Sequence, residues 1–393
     1  MATRADALPF AATRESAAAS TAAVPWFIWI NLIGVTSAIV GGQWDISWHR
    51  SIGRDTFWTP AHLAIYLCGI LAGVSSAYLI LATTFGKSLY PRDATVKMWG
   101  FRGPLGAFVT AWGGVAMLTS APFDEWWHSA YGLDVKIVSP PHVLLIMGVL
   151  AIQTGALLLM LGYMNRAEGK LKRIYDSLFL YTGGMILLLM SVLILEFTNR
   201  VYMHSGFYYR TVGLAIPVVL VAVARASGYR WAATAVAGVY TIFMLGFEWV
   251  LPLFPAEAKL GPVMNPITHF VPPQFPQLYI FPALALDLIW PSIANRGKWM
   301  QALTGGLTFM TVFLAVQWPF ADFLMSGAAK NWFFGAHYQD YATGPNSAIA
   351  RGLFISERTM REFQISIGLA FLFSILMSRA GLAWSDWMRR VQR

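Results

Sequence analysis

The sequence predicts an all-α integral membrane protein that crosses the bilayer about ten times. The 393-residue chain is 57% hydrophobic and only 12% charged, and its mean hydropathy is +0.54. Soluble domains carry about 25% charged residues, roughly twice this proportion. Long apolar runs recur along the chain, and helices formed by such runs span the hydrocarbon core of a membrane.

The predicted spans follow one another with short polar connections. Residues 1–23 form a polar N-terminal tail rich in small residues. Four spans then make up a unit over residues 24–164, and six more occupy residues 165–393, which include a long outer loop at 321–362. The ten predicted spans are 24–43, 61–85, 104–121, 142–164, 176–197, 211–226, 231–252, 276–295, 301–321 and 363–380.

Basic residues gather in the connections on one side of these spans. Loops 86–103 and 165–175 are rich in Lys and Arg, and the C-terminus carries Arg389, Arg390 and Arg393. The positive-inside rule therefore places both termini in the cytoplasm of a multi-pass protein, which we expect in a bacterial inner membrane. The net charge of +9 is explained by these loops and does not indicate nucleic-acid binding.

Two stretches in the four-span unit repeat one acid–histidine pattern. WDISWHRSIGRDTFWTPAH covers residues 44–62, and FDEWWHSAYGLDVKIVSPPH covers residues 123–142. The aligned pairs are Asp45 with Asp124, Trp48 with Trp127, His49 with His128, Gly53 with Gly132, Asp55 with Asp134, and His62 with His142. Each stretch joins the end of one span to the start of the next, so we predict a duplicated helix–loop–helix hairpin on the periplasmic side.

Each repeat contains a set of side chains suited to metal binding. Asp45 and His49 are four residues apart and share one face of a helix. His62 follows Pro60, and proline is favoured in the first turn of a helix. A carboxylate with two imidazoles binds Fe(II), Cu(II) or Zn(II) and leaves positions open for oxygen or substrate. The predicted metal ligands are therefore Asp45, His49 and His62 in one set and Asp124, His128 and His142 in the other.

Other matched residues have supporting roles in this interpretation. Asp55 and Asp134 either orient a ligand histidine from outside the metal's coordination sphere or are ligands themselves. Gly53 and Gly132 permit the turn after each helix. The matched tryptophans either shield the site or belong to the aromatic belt of the membrane. The single cysteine, Cys68, excludes a disulfide framework and a cysteine-based metal site.

Acids and histidines also recur near the outer ends of the later spans. All seven histidines fall on the predicted outer side. The looser pairs are Glu196 with His204, Glu248 with His269, and Asp322 with His337. Asp287 lies inside the eighth predicted span, where a carboxylate indicates either a functional group on a proton path or a residue hydrogen-bonded within the bundle.

The spacing of the two motifs resembles a known family. Asp-x3-His-x12-His followed by Asp-x3-His-x13-His is similar to the C subunit of the copper membrane monooxygenases, which include the particulate methane and ammonia monooxygenases. The second site of that family usually has Asn where this chain has Asp124, which adds a negative charge and puts the metal preference in doubt. The resemblance covers about residues 40–145. It implies copper, dioxygen activation, hydroxylation of a C–H or N–H bond, a quinol reductant and companion subunits.

We therefore predict a membrane-bound oxidoreductase, a copper monooxygenase-like subunit that hydroxylates a small apolar substrate delivered from the membrane lipid. Asp124, His128 and His142 are the predicted catalytic residues, and iron and zinc are the alternative metals. One alternative function is a transporter or metal permease, since repeats and membrane carboxylates are common in such proteins. A second is a zinc-dependent lipid hydrolase, and a third is a noncatalytic subunit that supports a partner.

Overall fold

The computed structural model describes residues 23–53, 55–86, 90, 92–132, 139–195, 203–259, 267–335 and 357–391. Most of these residues belong to ten α-helices. They are α1 (Trp26–Ser51), α2 (Pro60–Thr84), α3 (Leu105–Tyr131), α4 (Pro140–Met164), α5 (Gly169–Leu195), α6 (Gly206–Ala226), α7 (Ala232–Val250), α8 (Ile280–Ile293), α9 (Lys298–Leu324) and α10 (Met360–Met388). The predicted tail at 1–23, apart from its last residue, and positions 336–356 of the predicted outer loop lie outside the described residues.

Nine of the ten helices in the described part of the chain are long and apolar enough to cross a membrane. The protein is therefore a helical, multi-pass membrane protein, as predicted. A two-stranded hairpin is an addition to the all-α prediction. Strands β1 (Val96–Met98) and β2 (Phe101–Gly103) pair antiparallel between α2 and α3. The two turn residues, Trp99 and Gly100, both have positive φ, as the tightest hairpin turns require.

The eighth predicted span is shorter than the sequence suggested. It was expected over 276–295, but α8 has only 14 residues. At 1.5 Å per residue it is about 21 Å long, which is less than the roughly 30 Å of a bilayer core. The first four residues of the prediction, which begin with Pro276, precede the helix and end in a turn at Tyr279.

An irregular segment, residues 270–279, with neither helix nor strand, runs through the interior between α7 and α8. Most of its side chains are buried. Its backbone binds other elements: the N–H of Gln277 donates to the Tyr240 hydroxyl at 3.0 Å, and the N–H of Leu278 donates to Oε1 of Gln317 at 2.9 Å. Prolines at 272, 273 and 276 carry no N–H. The segment therefore has few donors left to satisfy in an apolar interior.

Helices α1 and α3 continue beyond the predicted spans 24–43 and 104–121. Each now includes the first acid and histidine of its motif. Gly53 follows the end of α1 with φ 79°, and Gly132 follows the end of α3 with φ 95°. These conformations favour glycine, so the predicted role of both glycines in the turns is confirmed.

Close glycine contacts set the packing of the two motif hairpins. A Cβ atom at Gly41 of α1 would lie 2.7 Å from the Ile65 backbone nitrogen of α2. A Cβ atom at Gly113 of α3 would lie 2.7 Å from the Gly148 carbonyl oxygen of α4. Small residues at such interfaces let membrane helices approach closely. The glycines therefore fix the spacing of the helices whose outer ends carry the acids and histidines.

We expect Gly113→Ala to destabilise the protein by about 1–3 kcal/mol, because the added methyl group meets backbone atoms that cannot move independently. The matched control is Gly246→Ala in α7, where an added Cβ meets no other atom within 4 Å. Thermal unfolding of the purified protein in detergent measures both. Equal unfolding temperatures for the two variants would contradict the close α3–α4 packing.

Candidate metal centre

The first motif places four ionisable side chains where α1 ends and α2 begins. Asp45 and His49 lie one turn apart near the end of α1. His62 is the third residue of α2, which begins at Pro60. Asp55 lies in the connection between the two helices. The antiparallel hairpin therefore brings together groups that are up to 17 positions apart in the sequence.

The two histidines point the same ring nitrogen toward both acids. Nε2 of His62 lies 3.2 Å from Oδ1 of Asp45 and 3.3 Å from Oδ2 of Asp55. Nε2 of His49 lies 3.7 Å from Oδ2 of Asp45 and 3.5 Å from Oδ2 of Asp55. The four side chains therefore converge on one small volume, and Asp55 takes part in it as fully as the three ligands that spacing predicts.

This convergence has the dimensions of a cation site. One ligand atom from each of Asp45, His49, Asp55 and His62 lies within 4.8 Å of the other three. Among the residues that the structure describes, no other group of three or more such side chains meets this distance. Oδ1 of Asp45 is buried and receives no well-formed hydrogen bond there. Two imidazole nitrogens and two carboxylates fit a divalent transition metal.

The His62 ring is oriented so that Nε2 faces both acids. Its Nδ1 lies 3.0 Å from the backbone carbonyl oxygen of Thr56. With a cation bound, the neutral tautomer that donates from Nδ1 to this carbonyl would offer its Nε2 lone pair to the ion. Ligand histidines in metal sites are commonly held by such a contact.

The carboxyl of Asp55 is held in its ionised form. Its pKa is lowered chiefly by the hydrogen bond from His49, and also by positive charge on His49, His62 and His128, although burial opposes the shift. Asp55 therefore carries a negative charge at neutral pH. Asp55 and His128 also border one cavity, so the two motifs lie close to each other.

The second motif forms a similar but looser arrangement. Nε2 of His128 and Nε2 of His142 each lie 3.6 Å from Oδ1 of Asp124. His142 is the third residue of α4, after two prolines. Asp134, which aligns with Asp55, lies outside the described residues. Hence only Asp124, His128 and His142 can be described for this set.

Two adjoining cavities connect the motifs. One of about 340 Å³ reaches Asp45, His49, His62, Asp124 and His142. The other, of about 250 Å³, reaches Asp55, His62, Asp124 and His128. The side chains that border both cavities are His62, Tyr66, Ala121 and Asp124. The two motifs therefore face a shared space, and Tyr66 stands between them.

Residues beyond the four-span unit at 24–164 contact the first motif, which sequence patterns did not reveal. The Ser47 hydroxyl donates to the Val271 carbonyl at 2.5 Å, and the Val271 N–H donates to the Ser51 hydroxyl at 2.8 Å. Leu189 and Val192 of α5 line the larger cavity. In the sequence, the available signal for this contact was a pair of serines, Ser47 and Ser51, one turn apart at the end of α1. Their spacing does not identify Val271 as the residue that they bind.

The remaining outer acids and histidines form separate contacts. His204 Nε2 lies 3.0 Å from Asp322 Oδ1, a combination that the predicted pairs do not include. Nδ1 of His269 lies 2.9 Å from the Thr268 hydroxyl, and Glu248 is buried at the end of α7. Glu196 and His337 lie outside the described residues.

The carboxylate of Asp287 caps the N-terminus of helix α7. Its carboxylate accepts hydrogen bonds from the Ala233 and Thr234 backbone nitrogens at 3.3 and 2.8 Å. The Thr234 hydroxyl also donates to it at 2.8 Å. A carboxylate at this position satisfies free N–H groups in the first turn of α7 and complements the helix dipole. Of the two interpretations that the sequence left open, hydrogen bonding within the bundle is confirmed.

Comparison with known proteins adds no relative: no family model matches the chain, and neither a curated protein nor a solved structure matches it significantly.

We expect Ser51→Ala to destabilise the protein by about 1–3 kcal/mol, because the buried Val271 N–H loses its acceptor. Ser177→Ala is the control, because Ser177 is exposed. Its hydroxyl donates to the backbone carbonyl one turn earlier in its own helix. Thermal unfolding in detergent compares the two. An unchanged midpoint for Ser51→Ala would mean that residues 270–279 do not brace α1.

Proposed function

We propose that the protein is a membrane metalloenzyme that oxidises an apolar substrate with dioxygen. The convergence of Asp45, His49, Asp55 and His62 within 4.8 Å is the observation that carries this proposal. Such groups are costly beside hydrocarbon unless they are paired or bind a cation. The apolar cavity next to them supplies space for a substrate.

The proposed reaction is hydroxylation with a quinol as reductant. A bound copper ion supplies one-electron chemistry and a site for oxygen. The balance is R–H + O₂ + QH₂ → R–OH + H₂O + Q, in which the quinol and the C–H bond each give two electrons. Copper and the quinol follow from the resemblance of residues 40–145 to the copper membrane monooxygenases.

The chain's own residues have distinct roles in this proposal. Asp45, His49 and His62 would hold the metal, and the contact of Nδ1 with the Thr56 carbonyl keeps Nε2 of His62 directed at the two acids. Asp55 adds a second carboxylate, which lowers the net positive charge of the centre. The aliphatic wall of the cavity excludes water and orients the substrate toward these ligands.

Asp124, His128 and His142 form the proposed second site, where we place catalysis. The shared border of His62, Tyr66 and Asp124 supports joint action of the two motifs on one substrate. The matched arrangement of both hairpins supports an internal duplication. We further propose that both motifs face the periplasm of a bacterial inner membrane, with the termini in the cytoplasm and companion subunits alongside.

A zinc-dependent lipid hydrolase is the second candidate. Asp55 favours it, because two nitrogens and two oxygens make the four-donor set that Zn²⁺ commonly takes. The transporter alternative loses its main support, since Asp287 caps α7.

We expect the protein purified in lipid nanodiscs to retain copper and to consume oxygen when a quinol and an apolar substrate are supplied. The double variant His49→Ala/His62→Ala should lose the metal of the first site and this activity. His128→Ala/His142→Ala should lose activity and any second metal. Elemental analysis and oxygen uptake measure both properties.

The control for this experiment is His269→Gln, which changes an outer histidine that hydrogen-bonds Thr268 and should leave metal and activity unchanged. Zinc as the retained metal, with lipid hydrolysis, would replace the oxidoreductase by the hydrolase. Failure to retain any metal after reconstitution would overturn the proposed metal centre.

We expect Asp55→Asn to weaken metal binding at least tenfold, because it removes a charged donor beside His49 and His62. Asp322→Asn, an equivalent change at the same end of the bundle, should leave the affinity unchanged. Competition with a chelator of known affinity measures the dissociation constants. Equal affinities in wild type and Asp55→Asn would show that Asp55 neither binds nor orients the metal.

A further inference from the structure

The larger cavity has one polar end and one apolar end. The polar end is bordered by the charged and imidazole side chains of the lining, Asp45, His49, Arg50, His62, Asp124 and His142. Away from them, the walls are aliphatic and include Ala38, Ile39 and Val149 from α1 and α4. A molecule that enters this cavity therefore meets charged ligands at one end only.

The apolar part is deep. Ala38 precedes Asp45 by seven residues on α1, and Val149 follows His142 by seven residues on α4. At 1.5 Å per residue, both walls extend about 10 Å from the acid–histidine ends toward the middle of the membrane. Because the two helices run in opposite directions, these walls face the same depth.

The volume also exceeds the needs of a one-carbon substrate. The cavity measures about 340 Å³, whereas an apolar cavity of about 150 Å³ already holds benzene. Pockets for larger organic ligands begin at about 300 Å³. Ammonia would leave the aliphatic walls without contacts and would gain nothing from them.

We propose that the occupant of this cavity is an alkyl chain of several carbons, bound by the aliphatic walls, with one end next to the acid–histidine ligands. This inference rests on the proposed function only in naming the occupant as the substrate, since binding itself requires no metal. Both a free hydrocarbon and the acyl chain of a lipid have this chemistry.

Gly42 controls the depth available to that chain. It lies on α1 between Ile39 and Asp45 and borders the cavity. A Cβ atom built there meets no other atom within 4 Å. A leucine side chain at this position would therefore extend into the cavity rather than into a neighbouring helix, and would close off the part below it.

Photolabelling of the metal-free protein in nanodiscs tests the proposal. The probes are an eight-carbon alkyl diazirine, a three-carbon alkyl diazirine, and a phosphatidylcholine with a diazirine in one acyl chain. The variants are Gly42→Ala, Gly42→Leu and the control Gly368→Leu, whose added Cβ in α10 also meets open space. Mass spectrometry locates the labelled residues.

The eight-carbon probe should label cavity residues such as Ile46 and Ile146 in wild type and Gly368→Leu. Gly42→Leu should reduce that labelling at least tenfold, Gly42→Ala should reduce it less, and the three-carbon probe should label all variants. Cavity labelling by the lipid probe would identify an acyl chain as the occupant, and its absence would identify a free hydrocarbon.

Two results would overturn the proposal. One is labelling by the eight-carbon probe confined to lipid-facing residues such as Ile33, and the other is undiminished cavity labelling in Gly42→Leu. Because no metal is present, these results are independent of whether the protein is an oxidoreductase.

Discussion

The geometry of the candidate metal centre depends on the mutual compensation of two acids and two histidines at the ends of apolar helices. Asp45 and Asp55 would repel each other if they stood alone, and a cation between them removes that repulsion. His49 and His62 supply that positive charge when protonated, and a metal ion replaces it when they are neutral. The glycine contact between α1 and α2, the proline that begins α2 and the Thr56 carbonyl all maintain the geometry in which this compensation works.

Sequence reasoning succeeded where a pattern is local. The helices follow from long apolar runs, the shared face of Asp45 and His49 follows from their spacing, and the turn at Gly53 follows from the conformational freedom of glycine. It failed where the partner lies far along the chain. The contact between His204 and Asp322, and the non-helical course of residues 276–279, depend on groups that no local pattern identifies.

Asp55 is an intermediate case. Its match to Asp134 drew attention to it, but spacing could not decide between a ligand and an orienting group. The convergence of its Oδ2 with both histidine Nε2 atoms places it inside the cluster. Asp287 is the opposite case, in which a candidate functional residue has a structural role. Its depth in the membrane drew attention to it, but both of its carboxylate oxygens accept hydrogen bonds from the first turn of α7.

The irregular segment at 270–279 constrains how the chain is made. Membrane helices can enter the bilayer one at a time during synthesis, but irregular backbone cannot rest in lipid with its polar groups free. This segment binds Ser51, Tyr240 and Gln317, and Gln317 in α9 is synthesised last of the three. The end of α1 is therefore translated early, but the contact of Ser51 with Val271 forms only after 220 further residues have been added to the chain.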